Sequence, residues 1–318
     1  MAYYYAEKRN VLMAGFFGFF DYTKPGPGIP KDAPPKPRIV VFFGILQRKF
    51  WNLIKINLLF ALFNIPAIIG MFIASLFFIP QNVNDPFADL VVRLAFGSFF
   101  IAIPVITVGP AQAGITYILR NYSREEHAFL WWDFKESALK NFKQSIIISL
   151  IDFVVLIFAG FSIRFYLLNI DRNIIMSFAA GLVILAFIIF IMMHLYIYPM
   201  LITFKLTVKQ IYKNALIFAF IKLIPNFLIL LLCFAIVFVT FLNYLIGIVL
   251  LILITYSLIG LITNFYVNPI IKKYMIDRFN ENVSGEETES EQQEENDEIV
   301  QDEVNNDSVH EEASNEIE

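Results

Sequence analysis

The sequence predicts an all-α protein, a polytopic transmembrane helical bundle of about six spans in three hairpins with cytoplasmic amphipathic helices. Apolar runs of about twenty residues recur along the chain, the length an α-helix needs to cross ~30 Å of hydrocarbon at ~1.5 Å per residue. Of the 318 residues, 58% are hydrophobic and only 16% are charged, whereas a water-soluble domain covers itself with about a quarter charged residues. The charge is also unevenly placed. Sixteen of the 28 acidic residues lie between Glu281 and Glu318, a stretch without Lys or Arg, so residues 1–280 carry twelve acids against all 24 bases. The formal net charge of −4 therefore hides an excess of +12 in the body of the chain.

Apolar periodicity between turn and charge signals places the spans at Trp51–Ile79, Val91–Leu119, Ile146–Leu168, Ile174–Met200, Ala215–Thr240 and Tyr244–Val267. The first two are joined by the polar, acidic stretch Pro80–Asp89, the third and fourth by Asn169–Asn173, and the last two by a tight connection near Asn243. Basic residues near span ends resist translocation, so they mark the cytoplasmic side. With both termini inside, 21 bases fall in the cytoplasm: nine from Lys8 to Lys55, five from Arg120 to Lys143, four from Lys205 to Lys222, and Lys272, Lys273 and Arg278. Only Arg93, Arg164 and Arg172 fall outside, where Arg164, Asp171 and Arg172 form a small cluster. A shift of one span would destroy this asymmetry.

Three parts follow. Residues 1–48 are an N-terminal cytoplasmic amphipathic segment with a Pro/Gly-rich linker over Lys24–Pro37, residues 49–279 the six-helix domain, and residues 280–318 an acidic tail too polar to bury a core. The apolar stretch Val11–Phe20 is interrupted by glycines and lacks a small-residue cleavage pattern, against a cleavable signal peptide. Cys233 is the single cysteine, which excludes an intramolecular disulfide and a Cys-based zinc site.

Phe134-Lys135 through Phe142-Lys143-Gln144-Ser145 resembles Phe204-Lys205 through Tyr212-Lys213-Asn214-Ala215, seventy residues on. The spacing suggests duplication of a basic amphipathic helix followed by a hairpin, or the common need of membrane-entry helices for aromatic and basic residues. In the second copy Phe204, Val208, Ile211, Tyr212 and Ala215 form one stripe and Lys205, Lys209 and Lys213 another, as a helix at the lipid headgroups requires.

Several blocks carry a family resemblance: Phe19-Phe20-Asp21-Tyr22 before Lys24-Pro25-Gly26-Pro27-Gly28, Arg48-Lys49-Phe50-Trp51 with Asn57-Leu58-Leu59, Ile103-Pro104-Val105-Ile106-Thr107-Val108-Gly109-Pro110-Ala111, and Asn141-Phe142-Lys143-Gln144. In this order they resemble the YesL family of bacterial membrane proteins, over roughly residues 10 to 275. The chain departs from shorter members between Pro66 and Pro104 and in its acidic tail. Genes of that family often stand near carbohydrate-uptake systems, so the resemblance implies an accessory or scaffold role in oligosaccharide handling at the cell membrane.

No phosphate-binding glycine loop, His-rich zinc spacing or nucleophile elbow occurs, so neither an enzyme nor a cofactor or metal is expected. The basic blocks are explained by topology and anionic lipid, which leaves no need for a nucleic-acid partner. Polar groups inside apolar runs carry the functional signal. Asp152 lies about six residues into the third span and His194 about six from the end of the antiparallel fourth, which sets both ~9 Å deep. They form either a proton-linked gate or binding element, or a static interhelical hydrogen bond. Thr107-Val108-Gly109-Pro110 in the second span reads either as a half-helix opening on a central cavity, with Gln112 and Thr116 adding polar contacts, or as a kink packed through Gly109 and Ala113. Trp131, Trp132, Phe134 and Phe142 are interfacial anchors or a partner-docking surface. Two functions are thus expected: the accessory component, contacting a carbohydrate-uptake complex through its cytoplasmic helices, or a solute transporter or channel with a mid-membrane polar site. The sequence does not set the oligomeric state.

Overall fold

The computed structural model describes residues 36–77, 86–169 and 174–277, and these residues are helical with no strand among them. The expected N-terminal amphipathic helix, most of its Pro/Gly linker, the loop through Asp85, Asp171 and Arg172, Arg278 and the acidic tail lie outside the described residues. In chain order the helices are α1 (Arg38–Phe63), α2 (Ile65–Phe77), α3 (Pro86–Ser123), α4 (Leu130–Lys140), α5 (Phe142–Leu168), α6 (Ile174–Thr203), α7 (Val208–Ile221), α8 (Leu223–Thr240), α9 (Tyr244–Leu250) and α10 (Tyr256–Ile271). A wider, π-helical turn at Leu251–Thr255 joins α9 to α10. From Gly44 onward the described residues form one compact unit.

Five helical segments are long and apolar enough to cross a membrane: Ala102–Ser123 of α3, α5, α6, α8 and the continuous rod Tyr244–Asp277. The α1–α2 pair, bent by 51°, is either a sixth, broken span or a re-entrant hairpin. Exposure is distributed as a bilayer demands. Phe158, Phe161, Phe178, Phe234 and Phe238 face outward, while Asn57, Ser145, Asn226, Ser257 and Asn264 are buried. In lipid a backbone or amide group finds no water, so the polar side chains turn inward and pair. This is a membrane protein.

Three expected spans are redrawn. The first begins upstream at Arg38 and breaks at Asn64, and the fifth is two helices that break at Lys222. Proline is the cause in both. Pro66 and Pro225 lack an N–H and crowd the carbonyls of Leu62 and Ile221 four residues back. The last span runs on past Val267 to Asp277. Pro104 and Pro110, by contrast, do not interrupt α3, so no half-helix begins at Gly109. The helix survives because neighbouring segments close around it: the Phe100 carbonyl, which loses its helical donor to Pro104, faces Gly70 of α2, where a Cβ would stand 3.0 Å away.

The two basic segments do not superpose at seventy residues. Phe142–Ser145 opens α5, whereas Tyr212–Ala215 lies inside α7, whose break comes later at Lys222. Along α7 the expected stripe holds: Ile211 and Ala215 are buried with Phe218, while Lys209 and Lys213 are exposed. That stripe packs against Tyr196 and Met200 of α6, so protein rather than lipid covers it.

α3 is the axis of the bundle, packing against α2, α4, α5, α6 and α10. Its small residues permit this. A Cβ on Gly109 would collide with the Ser145 carbonyl and Ser149 Oγ of α5, and one on Gly114 would stand 2.7 Å from the Phe134 ring of α4. Two asparagines stitch the irregular backbone to the rest. Asn57 of α1 donates to the carbonyls of Leu251 and Ile252 at 2.7 and 2.6 Å and accepts from the Ser257 N–H at 2.8 Å, within and beside the wide turn before α10. Asn226 donates to the carbonyls of Phe218 and Ala219 before the α7–α8 break and accepts from the hydroxyls of Tyr196 and Tyr266.

Basic residues gather where α3, α6 and α10 end and α5 begins. Arg120 donates to the Ile202 carbonyl and to Thr203, Gln144 donates to the Leu206 carbonyl, and Asn268 bonds to Ser123.

Replacing Asn57 by Ala strands the buried Ser257 N–H and removes a donor from two part-buried carbonyls, at a cost of about 1–3 kcal/mol. Reversible unfolding in bicelles is expected to show this loss, with faster amide exchange at Ser257; wild-type exchange there would contradict the stitch.

Candidate functional site

α5 and α6 are antiparallel neighbours, and each carries one polar residue suited to proton chemistry deep in an apolar run. Asp152 is the only acid in α5 and His194 the only histidine in α6. Counted from the observed helix ends, each lies about ten residues in, ~15 Å along the helix. They meet: His194 Nε2 is 2.8 Å from Asp152 Oδ1. His194 Nδ1 lies 2.9 Å from the Phe190 carbonyl, which only accepts, so Nδ1 carries a hydrogen. One further proton is shared along the Nε2–Oδ1 line. The pair is thus either imidazolium with carboxylate or imidazole with carboxylic acid, neutral overall in both.

Tyr212 of α7 completes the cluster, its hydroxyl donating to Asp152 Oδ1 at 3.1 Å. Burial, and then the Asp152 carboxylate, push the Tyr212 hydroxyl well above the ordinary tyrosine range, so it stays protonated and acts as a donor. Tyr198 of α6 bonds to Ser149 of α5 one turn before Asp152. Both members of the pair keep an open side, with 21% of the Asp152 and 26% of the His194 side chain exposed.

That side borders two cavities. One, of about 360 Å³, is lined by Pro104, Val105, Val108, Ser149, Asp152, Phe153 and Leu156. The other, of about 220 Å³, lies toward α8 and α10 and is lined by Thr116, Leu195, Cys233, Thr263 and Asn264 among others. Gln112, His194, Tyr198 and Tyr256 border both.

The structure divides the residues singled out in the sequence. Asp152, His194, Gln112 and Thr116 come together at the cavities, with Thr116 Oγ1 donating to the Gln112 carbonyl. Gly109 and Pro110 do not join them. They are buried, and Gly109 is pressed against α5. Phe134 is fully buried beside Gly114 and 4.8 Å from the Phe63 ring, so it is no part of an outer surface. It occupies the space that Gly114 leaves open. Trp131, Trp132 and Phe142 are exposed.

Sequence reading missed Tyr198, Tyr212, Tyr256 and Asn264. Tyr212 passes as a member of the apolar stripe of α7, and nothing in its spacing reports that its hydroxyl reaches α5. Asn264, a lone amide in an apolar run, did carry a signal, because a polar group at membrane depth is costly.

A family model described as a protein of unknown function, DUF624, matches residues 53–163. The matched stretch runs from the middle of α1 to near the end of α5, so it contains Asp152 and leaves out His194 and Tyr212. No curated protein and no solved structure matches the chain.

Removing the Tyr212 hydroxyl deletes one bond to Asp152, so Tyr212→Phe is expected to cost about 1 kcal/mol on its own and almost nothing in an Asp152→Ala background, which lacks the acceptor. Unfolding midpoints of wild type, the two single variants and the double variant measure this coupling; equal costs in both backgrounds would break the cluster apart.

Proposed function

We propose that this protein is a multi-pass carrier of the cell membrane with both termini in the cytoplasm, and that it binds a small solute between α3, α5, α6 and α10 in a proton-linked manner. One observation carries this reading: the Asp152–His194 pair, holding one shared proton, faces a groove open at the bundle's surface and an adjoining half-enclosed cavity. A static strut needs neither an exposed side nor empty space beside it. An ionisable pair at this depth is costly and is retained where a proton or solute passes. The gathering of basic residues at one end of the bundle supports the orientation. Catalysis is no part of the proposal.

A second reading rests on Trp131, Trp132 and Phe142, whose exposure at the starts of α4 and α5 suits a docking partner. Together with the YesL-like blocks, it supports an accessory role beside a carbohydrate-uptake complex. Headgroup anchoring explains the same three residues, so the space beside the ionisable pair supports transport over docking.

Vesicles containing the protein and exposed to an isotope-labelled cell extract under an imposed pH gradient are expected to accumulate at least one solute. Asp152→Asn and His194→Gln should reduce that accumulation about tenfold or more at unchanged membrane abundance. Identical solute profiles for wild type and variants would refute transport through this site. If so, replacing Trp131 and Trp132 by Ala and losing a co-purifying membrane protein would support the accessory role.

A further inference from the structure

Three side-chain oxygens of residues lining the two cavities lack a hydrogen-bond donor among the described residues, and they bear on what the site holds. Asp152 receives both of its hydrogen bonds on Oδ1, from His194 and Tyr212, and Oδ2 has no partner among the described residues. Asn264 is 2% exposed, and its amide Nδ2 donates to the Gly260 carbonyl at 2.8 Å, which fixes the orientation of the group. Its Oδ1 is buried without a partner, as is Gln112 Oε1. A buried acceptor left unpaired is costly and disfavours further negative charge beside it. Among the described residues no Lys or Arg lines either cavity. The remaining wall is largely aromatic and aliphatic, including Phe153, Tyr198 and Tyr256.

Resting on the carrier reading above, we infer that the solute is a small organic cation, a protonated amine on an apolar body, with its ammonium group at Asp152. When the shared proton leaves the Asp152–His194 pair to solvent, the carboxylate supplies the opposite charge in a region of low dielectric, and aromatic faces favour a cation over a neutral group. An anion would meet the Asp152 carboxylate with His194, already bonded to it, as the one base among the described lining residues. A sugar would leave most of its hydroxyls against hydrocarbon.

The test uses three probes of one shape on the full-length protein in lipid nanodiscs: 2-phenylethylammonium, 2-phenylethanol and phenylacetate. Calorimetry is expected to show the ammonium binding about tenfold or more tighter than either of the others, with Asp152→Asn bringing it to within about threefold of the alcohol. The unmutated protein supplies an independent readout, because its only cysteine, Cys233, lines the smaller cavity. Modification of Cys233 by an ethylammonium methanethiosulfonate should outpace the ethylsulfonate reagent by about tenfold, and 2-phenylethylammonium should slow it. Equal affinity for ammonium and alcohol, tighter phenylacetate binding, or no binding of any probe would overturn the cation assignment. The carrier reading fails separately, on solute accumulation that Asp152→Asn leaves unchanged.

Discussion

The rest of the structure depends on the close approach of backbones along α3. A bilayer offers no hydrophobic drive to pull apolar helices together, because lipid tails are as apolar as leucine. Contact must come from dispersion and hydrogen bonds, and both require short distances. Gly109 and Gly114 provide them, one against α5 and one against α4. Asp152 stands one turn beyond Ser149, the residue against which Gly109 presses. The depth and facing of the ionisable pair are therefore consequences of a missing side chain on the neighbouring helix.

Helix irregularity is the second theme, and it has local causes. Pro66 and Pro225 break their helices at Asn64 and Lys222, whereas Pro104 and Pro110 leave α3 continuous. What differs is the surroundings. The second pair of prolines sits in a helix enclosed by others, while the carbonyls before the α7–α8 break are taken up by Asn226. Asn57 does the same for the wide turn before α10 and so ties the first helix to the last.

The helices themselves were largely legible because charge and apolar length are one-dimensional signals: α6 and α8 end within a few residues of their expected C-terminal limits. The breaks at Asn64 and Lys222 escaped, although Pro66 and Pro225 were visible, because a proline ends a membrane helix only when its neighbours allow it. For the site, Asp152 and His194 stood out as costly groups on antiparallel helices, and their meeting followed from matching depth. Tyr212 did not, because a tyrosine in an apolar stripe looks the same whether its hydroxyl meets a headgroup or a buried acid. Of the two readings of Gly109 and Pro110, the half-helix is a break suggested by local composition that the packing of α3 overrides, and the close packing through Gly109 is what the structure shows.

The glycine seam of α3 holds α5 where Asp152 can meet His194. Nitrogen NMR of histidine-labelled protein tests it directly, since the His194 ring nitrogens report the bonds to Asp152 and Phe190. In a Gly109→Leu variant that still inserts and folds, the side chain forces α5 away, and the account predicts that the Nε2 signal moves toward that of a free imidazole while Nδ1 keeps its bond to Phe190. An Nε2 signal identical to wild type would contradict it.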